Sequence, residues 1–337
     1  MIIQLENNLS AASINQLLEQ LKTIGYKSTE VKTAHGHYLV CIGPYDIDIR
    51  KIGNLKGVKD VHRLTEPYML VSSKWKVNRT EIDLGNDVKI GNGHFSIMAG
   101  PCSVENEQQI ELIVQHLVNN NIKIIRGGVF KPRSSPYAFR GLGIDGLKMF
   151  HSIARDNGLK VITEVMEAGQ IEKMMDFVDV FQVGARNSQN FNLLDELGGI
   201  NKPILLKRGI SGTIDELLQS AEYIFLRGNE EIMLCERGIR TYENAYRNTF
   251  DINAISILKE KSHLPVIADP SHGIGIRAHV SRVALAAAVA GADGLIYEVH
   301  HTPEEALSDG QQTLSFEESN RLIKALNELK QIELHLI

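Results

Sequence analysis

The stretch HFSIMAGPC, residues 94–102, opens a series of eight short apolar runs that each end in, or lead to, a charged or metal-binding residue. Apolar runs without polar alternation are typical of strands buried on both faces, as in a parallel sheet covered by helices. The seven further runs lie at residues 123–126, 161–164, 180–186, 203–208, 232–237, 265–269 and 294–300.

Segments with helical spacing of their apolar residues separate these runs. They lie at residues 108–118, 143–157, 168–177, 190–197, 214–226, 244–259, 278–290 and 316–329. A strand followed by a helix, repeated eight times, predicts an α/β fold, the (β/α)₈ barrel, over residues 94–337. Active sites of such barrels lie at the C-terminal strand ends, so the residues that end the runs are candidates for chemistry.

Residues 1–70 follow a different plan. Helix-spaced apolar residues at 12–24 and a short polar helix at 47–54 alternate with strand-like runs at the start and near 27–33, 37–42 and 58–64. The order βαββαβ is that of a ferredoxin-like domain. The polar stretch 72–80 is typical of a linker, and turn residues around 88–90 predict a small hairpin. We therefore expect residues 71–93 to join the two domains, with the hairpin closing one end of the barrel.

The bulk properties exclude several classes of protein. A chain of 337 residues with a net charge of −5 has no basic field that would attract nucleic acid or an anionic membrane. Its start lacks the pattern of a signal peptide, and charges interrupt every apolar stretch before it could span a bilayer. Three widely spaced cysteines suit reduced thiols better than disulfides. These features predict a cytoplasmic protein.

Four potential metal ligands fall at the predicted strand ends or in the loops beyond them. They are Cys102, His272, Glu298 and Asp309. Taken singly, each has a structural explanation, such as a buried thiol or a turn aspartate. Together at one barrel end, they predict a site for Mn²⁺, Fe²⁺, Co²⁺ or Zn²⁺ rather than Mg²⁺. His300 and His301 are weaker candidates for the same role.

Cations are also concentrated at the predicted strand ends. They are Arg126, Lys131, Arg133, Arg186, Lys207, Arg208 and Arg237. Guanidinium and ammonium groups suit carboxylate and phosphate oxygens, so a focused set in an acidic protein predicts a polyanionic substrate. The loop KPRSS, residues 131–135, adds two cations and two hydroxyls, including Ser134, as a second anion site.

At these residues the chain resembles 3-deoxy-D-arabino-heptulosonate 7-phosphate (DAHP) synthase, in the branch close to 3-deoxy-D-manno-octulosonate 8-phosphate synthase. The resemblance spans residues 94–315. Its motifs are AGPCSVE at 99–105, RGGVFKPRSS at 126–135, GARN at 184–187, LKRG at 206–209, CERG at 235–238 and DPSH at 269–272.

The resemblance implies a metal-dependent, aldol-like condensation of phosphoenolpyruvate with erythrose 4-phosphate, the entry step to aromatic amino acid synthesis through the shikimate pathway. From charge, we expect Arg126, Lys131 and Lys207 to hold the phosphoenolpyruvate carboxylate. Lys207, with Arg186 and Arg237, would hold its phosphate, and Arg133 and Ser134 the phosphate of the aldose. Glu164 is the candidate that handles the proton of the attacking water, or else a structural partner of a cation. Lys131 is the alternative proton donor.

The N-terminal domain resembles a regulatory module that binds an aromatic amino acid, tyrosine or phenylalanine, and the resemblance implies a homotetramer. Two rival functions stay open. One is the octulosonate synthase, which uses arabinose 5-phosphate, although the Lys131-Pro132-Arg133 form of the loop favours erythrose 4-phosphate. The other is a non-catalytic, amino-acid-binding regulatory protein, against which the complete ligand and cation sets argue.

Overall fold

The computed structural model describes residues 1–131, 135 and 137–331. The N-terminal elements are β1 (Ile2–Leu5), α1 (Ala11–Ile24), β2 (Lys27–Lys32), β3 (His37–Ile42), α2 (Ile49–Gly53) and β4 (Val58–His62). The strands form an antiparallel sheet in the order β2-β3-β1-β4, which confirms the predicted βαββαβ arrangement.

Helix α1 shows how local sequence sets the boundaries of these elements. The Ser10 hydroxyl accepts a hydrogen bond from the Ser13 amide at the helix start, and Gly25 ends the helix with a positive φ of 101°. Leu17 and Leu21, on one face, are buried in a cluster that includes Leu39 of β3. Helices α1 and α2 thus cover one face of the sheet.

The other face of the sheet packs on the barrel. Val31 and Tyr38 belong to the same buried cluster as Trp75 of the linker and Phe225 of a barrel helix. The rings of Tyr38 and Trp75 meet edge to face, with centroids 5.2 Å apart. At the rim of this contact, the Thr33 hydroxyl donates to the buried Glu230 carboxylate over 2.5 Å. This face of the sheet and the barrel therefore share one continuous apolar cluster.

A small hairpin, β5 (Ile82–Asp83) with β6 (Lys89–Ile90), precedes the barrel. Its apolar side chains Ile82, Val88 and Ile90 are buried in one cluster with the inward-facing residues of the barrel strands. The hairpin thereby closes the end of the barrel opposite to the candidate site.

Eight parallel strands close into a barrel, as predicted. They are β7 (Ser96–Gly100), β8 (Ile124–Arg126), β9 (Lys160–Val165), β10 (Val180–Val183), β11 (Ile204–Lys207), β12 (Ile232–Glu236), β13 (Val266–Ala268) and β14 (Gly294–Glu298). The helices are α3 (Glu107–Asn119), α4 (Gly143–Asp156), α5 (Ala168–Met174), α6 (Phe191–Gly198), α7 (Ile214–Leu226), α8 (Ile252–Lys261), α9 (Pro270–Ile274), α10 (Arg277–Val289) and α11 (Phe316–Gln331). No helix within the described ranges has the length and apolar character needed to cross a membrane.

One predicted helix is wrong over its first half. Residues 244–251 were expected to be helical, but α8 begins only at Ile252. Thr249 pairs with Ile239, and the Asp251 carboxylate caps the helix by accepting from the Ala254 amide. Residues 239–251 instead form a loop at the C-terminal mouth of the barrel, where they supply side chains to the site.

Candidate active site

The pleat of the strands decides which residues face the barrel mouth. Each strand alternates inward and outward side chains, and one inward layer is apolar: Ile124, Ile162, Val180, Leu205, Cys235, Ile267 and Ile296. Two residues further along each strand, on the same inward face, stand Arg126, Glu164, Gln182, Lys207, Arg237, Asp269 and Glu298. The chain therefore places a polar ring directly above an apolar floor.

The ring opens into a cavity of about 180 Å³. Seven Lys and Arg side chains line it, against two carboxylates, those of Glu164 and Asp309. The cations are Arg126, Lys131, Arg186, Lys207, Arg237, Arg240 and Arg247. So many positive charges at a concave, largely buried surface make a focused site for an anion with more than one charged group.

Cys102 lies at one side of this cavity, with Lys131 beside it. The Lys131 ammonium donates to the Cys102 carbonyl over 3.0 Å and lies 3.1 Å from its sulfur. Burial, helped by the Glu298 carboxylate, raises the pKa of the Cys102 thiol to about 12, while Lys131 opposes the rise. A bound cation would have to displace the thiol proton, because the thiolate is the ligand form.

The predicted metal ligands converge. One ligand atom each from Cys102, Glu298 and Asp309 lies within 4.8 Å of the others. Nε2 of His272 is 3.5 Å from Oε1 of Glu298 and 3.9 Å from Oδ2 of Asp309. A thiol, an imidazole and two carboxylates at this spacing fit a divalent transition metal, which would relieve the repulsion between the two carboxylates. The donor set thus suits the predicted cofactor.

The carboxylates of this group are held by further side chains. Arg126 Nη1 lies 3.3 Å from Oε1 of Glu298, and the Gln312 amide donates to Oε2 over 2.7 Å. Arg247 contacts both Gln312 and Asp309: its Nη1 donates to Oε1 of Gln312 over 2.6 Å and lies 3.4 Å from Oδ2 of Asp309. Although burial acts the other way, Arg247 and His272 hold the pKa of Asp309 at about 2. Both carboxylates are therefore kept ionised.

Asp269 lies between the cations of the cavity and the proposed metal ligands. Its Oδ2 accepts from the Lys207 ammonium over 2.5 Å and lies 2.8 Å from Nδ1 of His272. The ring N–H is poorly aligned with that oxygen, so the second contact is mainly electrostatic. Burial raises the pKa of Asp269, but His272 and Lys207 outweigh it and hold the pKa well below its usual value. The carboxylate is thus a fixed negative charge between a cation and an imidazole.

Glu164 lines the cavity at the end of β9, and the Gln182 amide donates to its Oε2 over 3.3 Å. A Cβ at position 184 would lie 2.1 Å from Oε1 of Glu164, so any larger residue there would require this carboxylate to move. The side chain is open to the cavity and makes no ion pair there within 4.0 Å among the described side chains. It is placed to contact a substrate or a water molecule.

Arg208 does not join the cavity, contrary to the expectation from its position at a strand end. Its Nη1 lies 2.8 Å from Glu236 and 2.9 Å from Asp251, and its Nε donates to the Gly212 carbonyl. Arg208 lies two residues after Leu206, whose side chain faces the helices. The pleat therefore directs the Arg208 side chain outward as well.

His300 and His301 also stay outside the metal group. Their rings stack on one another, with centroids 4.3 Å apart, and Nε2 of His300 faces Glu105 at 3.8 Å. Of the remaining predicted residues, Arg133 and Ser134 lie outside the described ranges.

Several residues of the site were not predicted from the sequence. Gln182 and Asp269 could have been found by counting two residues beyond the apolar inward layer. Arg240, Arg247 and Asn248 belong to the loop whose second half was taken for a helix, and Gln312 follows the Asp309 turn. No spacing rule pointed to these loop residues, because a contact within a loop depends on the whole barrel.

Comparisons with known proteins place this chain in a family. Residues 77–335 match the model of the family described as "DAHP synthetase I family". A phospho-2-dehydro-3-deoxyheptonate aldolase of Thermotoga maritima is 49% identical over 279 residues, which covers 83% of this chain and 82% of that protein. A 2-dehydro-3-deoxyphosphooctonate aldolase of Syntrophobacter fumaroxidans is 30% identical over 72% of this chain and 90% of its own length.

Solved structures are similar as well. A crystal structure of the Thermotoga maritima phospho-2-dehydro-3-deoxyheptonate aldolase (DAHP synthase) superimposes with a TM-score of 0.78 at 43% identity, covering 98% of this chain and 97% of that one. A truncated form of the synthase from the same organism covers 78% of this chain, with a TM-score of 0.74 at 46% identity. The likeness therefore includes the N-terminal domain as well as the barrel.

Proposed function

Since the chain belongs to the DAHP synthetase I family, we propose that the mouth of its barrel condenses phosphoenolpyruvate with erythrose 4-phosphate, giving DAHP and phosphate. The reaction joins C3 of phosphoenolpyruvate to the aldehyde carbon, adds water at C2 and releases phosphate. The observation that carries the proposal is the cavity itself, in which seven cations adjoin a thiol–imidazole–carboxylate group.

Phosphoenolpyruvate carries a carboxylate and a phosphate, and the cations of the cavity suit both. In our proposal, Arg126 and Lys131 hold the carboxylate, Arg186 and Arg237 hold the phosphate, and Lys207 lies between them. Arg126 and Lys207 are each at least 95% buried, so their hydrogen bonds to an anion would form with little competition from water. Holding both ends fixes the C2–C3 double bond relative to the aldehyde.

We propose that Cys102, His272, Glu298 and Asp309 hold one divalent metal ion, with Mn²⁺, Fe²⁺, Co²⁺ and Zn²⁺ all compatible with the ligand set. When bound, such an ion supplies a Lewis acid that can polarise the aldehyde oxygen. Lys131 adjoins this position, since its ammonium lies 3.1 Å from the Cys102 sulfur, and it can give a proton to the developing alkoxide.

Glu164 is the proposed acceptor for the proton of the water that adds to C2. Its carboxylate faces the cavity from β9 without an ion-pair partner among the described side chains, and Gln182 donates only to Oε2, so Oε1 can accept from a water molecule. Glu164→Gln should then lower kcat far more than it raises the Michaelis constant for phosphoenolpyruvate, because a base acts mainly in the transition state. A variant with wild-type kcat would remove Glu164 from this role.

The second substrate is assigned to the loop that contains Arg133 and Ser134. Phosphate release from phosphoenolpyruvate, measured with erythrose 4-phosphate and with arabinose 5-phosphate, tests this choice directly. Turnover with the five-carbon sugar alone would favour the octulosonate synthase, and turnover with neither would favour the regulatory protein. Arg133→Ala should raise the Michaelis constant for the aldose phosphate much more than that for phosphoenolpyruvate, whereas equal effects would overturn the partition.

The metal proposal has a matched control within the chain. Cys102 and Cys235 are both buried free thiols, but of the two only Cys102 is grouped with Glu298 and Asp309, whereas Cys235 belongs to the apolar layer below the site. In the wild type, a chelator should abolish turnover and added Mn²⁺ should restore it. Cys102→Ala should abolish this Mn²⁺-dependent turnover, whereas Cys235→Ala should retain it. Turnover by the Cys102→Ala protein in the presence of chelator would refute the metal assignment.

We further propose that the N-terminal domain binds tyrosine or phenylalanine as an inhibitor, in a homotetramer located in the cytoplasm. In support, the domain contains a cavity of about 160 Å³ lined by Tyr26, Tyr45, Arg63, Glu66 and Met69 among others, which offers apolar surface beside a cation and a carboxylate. Inhibition by each amino acid should be present in the full chain and lost after deletion of residues 1–70. Retained inhibition would refute the regulatory proposal, and sedimentation would test the tetramer.

A further inference from the structure

A single buried carboxylate lies between the proposed anion site and the proposed metal site. Asp269 is 1% exposed and caps the short helix α9, with its Oδ1 accepting from the His272 amide over 3.0 Å. The other oxygen, Oδ2, is 2.5 Å from the Lys207 ammonium and 2.8 Å from Nδ1 of His272. The Lys207 ammonium of the anion site and the His272 ring of the metal site are thus both adjacent to one oxygen atom.

We propose that Asp269 is a positioning residue that sets Lys207 for phosphoenolpyruvate and His272 for the metal at the same time. The inference rests on the proposed function, because it concerns residues assigned there. It adds a role for a side chain that touches neither substrate nor metal but fixes the groups that do.

The effect on His272 follows from imidazole chemistry. A neutral imidazole carries its proton on one nitrogen only, and the nitrogen next to a carboxylate is the favoured position. With the proton on Nδ1, the lone pair is on Nε2, which is the nitrogen near Glu298 and Asp309. Asp269 also accepts from the backbone amide of His272, which fixes the carboxylate beside the ring, with Oδ2 at 2.8 Å from Nδ1.

The effect on Lys207 follows from its burial. Its ammonium group lies in the cavity wall beside other cations, and a flexible lysine there would turn away from them. The ion pair with Oδ2 of Asp269 holds Nζ at the cavity surface. Because Lys207 and His272 draw on the same oxygen, a change at Asp269 should affect both sites together.

Asp269→Asn tests this with two binding constants measured apart from turnover. Mn²⁺ is titrated into the metal-free protein without substrate, and phosphoenolpyruvate is titrated in the presence of chelator. We expect Mn²⁺ binding to weaken by about 10- to 100-fold, which is the usual effect of losing the carboxylate behind a metal-binding histidine. Phosphoenolpyruvate binding should weaken at least several-fold.

Glu236→Gln is the matched control. Glu236 is a fully buried carboxylate at the end of the neighbouring strand β12, paired with a cation, but it contacts neither Lys207 nor His272. Glu236→Gln should be less stable than the wild type, because it too loses a buried charge. Both of its binding constants should stay within about threefold of the wild type. Equal weakening in the two variants would overturn the proposal, and so would an unchanged constant for either ligand in Asp269→Asn.

If Asp269→Asn does not fold, Asp269→Glu takes its place. The glutamate keeps the charge but moves the oxygens by one methylene, so both constants should still weaken. Wild-type values for both would show that the position of the carboxylate does not matter, which refutes the inference. A wild-type protein that binds neither Mn²⁺ nor phosphoenolpyruvate would instead refute the proposed function, so the two failures are distinguishable.

Discussion

Lys207 and Arg208 are consecutive, almost equally buried at 4% and 5% exposure, and both paired with carboxylates, but they face opposite sides of the barrel wall. Lys207 continues the inward row of β11 and meets Asp269 at the cavity. Arg208 continues the outward row and is held by Glu236 and Asp251. The first pair borders the anion site, and the second fastens the loop before α8 to the barrel.

Burial and pairing of a charge therefore do not by themselves identify a functional group. What separates the two cations is the two-residue period of the strand, which is visible in the apolar residues before them. Leu205 lies in the inner cluster and Leu206 in the outer one. We therefore expect substitutions at both positions to lower stability, but only a substitution of Lys207 to act directly on catalysis.

Arg208→Met should have the largest effect on stability. It would leave Glu236 and Asp251 without their cation, and breaking a buried pair in this way costs about 3–5 kcal/mol. The free energy of unfolding in urea measures this loss, and the kcat of the protein that remains folded should stay close to the wild type. A stable variant with strongly reduced kcat would place Arg208 in the site and break the comparison.

Lys207→Met should lower stability as well, because it leaves the buried Asp269 carboxylate without its cation, but it should also act directly on catalysis. Removing one fixed cation from a charged site lowers kcat/KM by about 10²–10³-fold, or about 2.7–4 kcal/mol. Lys202→Met is the control, since Lys202 precedes the same strand at the opposite end and its ammonium donates to the Val178 carbonyl. Steady-state kinetics with phosphoenolpyruvate should separate the two, and similar losses in both would contradict the assignment of Lys207.

Much of the fold could be predicted because it depends on local periodicity. The eight apolar runs and the βαββαβ order of the first domain were read correctly. The helix expected at 244–259 failed because its first half is held by contacts distant in sequence, such as the Arg247 amide with the Ile274 carbonyl. Such contacts leave no periodic signal.

The site was predicted where residue type and strand end coincide, as for Lys207 and Glu298. Arg208 was misplaced because the strand end alone was considered, without the inward or outward direction. Asp269 stands in the motif DPSH, but its role depends on its distance to Lys207, which is 62 positions away in the chain. Only the closed barrel shows that contact.

His263 extends the comparison to a buried group that has no opposite charge beside it. Burial, with Lys76 nearby, lowers its pKa to about 3. The unfolded chain binds a proton at this residue below pH 6.5, whereas the folded protein does so only near pH 3, so stability is lost as the pH falls between these values. Between pH 7.5 and pH 5 the wild type should lose about 2 kcal/mol more than His263→Gln.

Urea unfolding at the two pH values measures this difference. The acid titration of His116, whose pKa burial lowers to about 4, is common to both proteins and cancels when they are compared. An equal loss in wild type and variant would mean that folding does not lower the pKa of His263. The Leu70 carbonyl, which accepts from Nε2, acts the other way and favours the protonated ring, but burial outweighs it.

The smallest effect is expected where a charged pair is exposed to water. Glu317 and Arg321 lie one turn apart on α11, with Nη1 and Oε1 separated by 2.9 Å, close to the 2.8 Å of the Arg208–Glu236 pair. Their side chains are 79% and 67% exposed, so solvent screens the attraction and neither charge needs a partner. Glu317→Gln should therefore change the free energy of unfolding by less than about 0.5 kcal/mol. A loss approaching that of Arg208→Met would show that distance rather than burial governs these pairs.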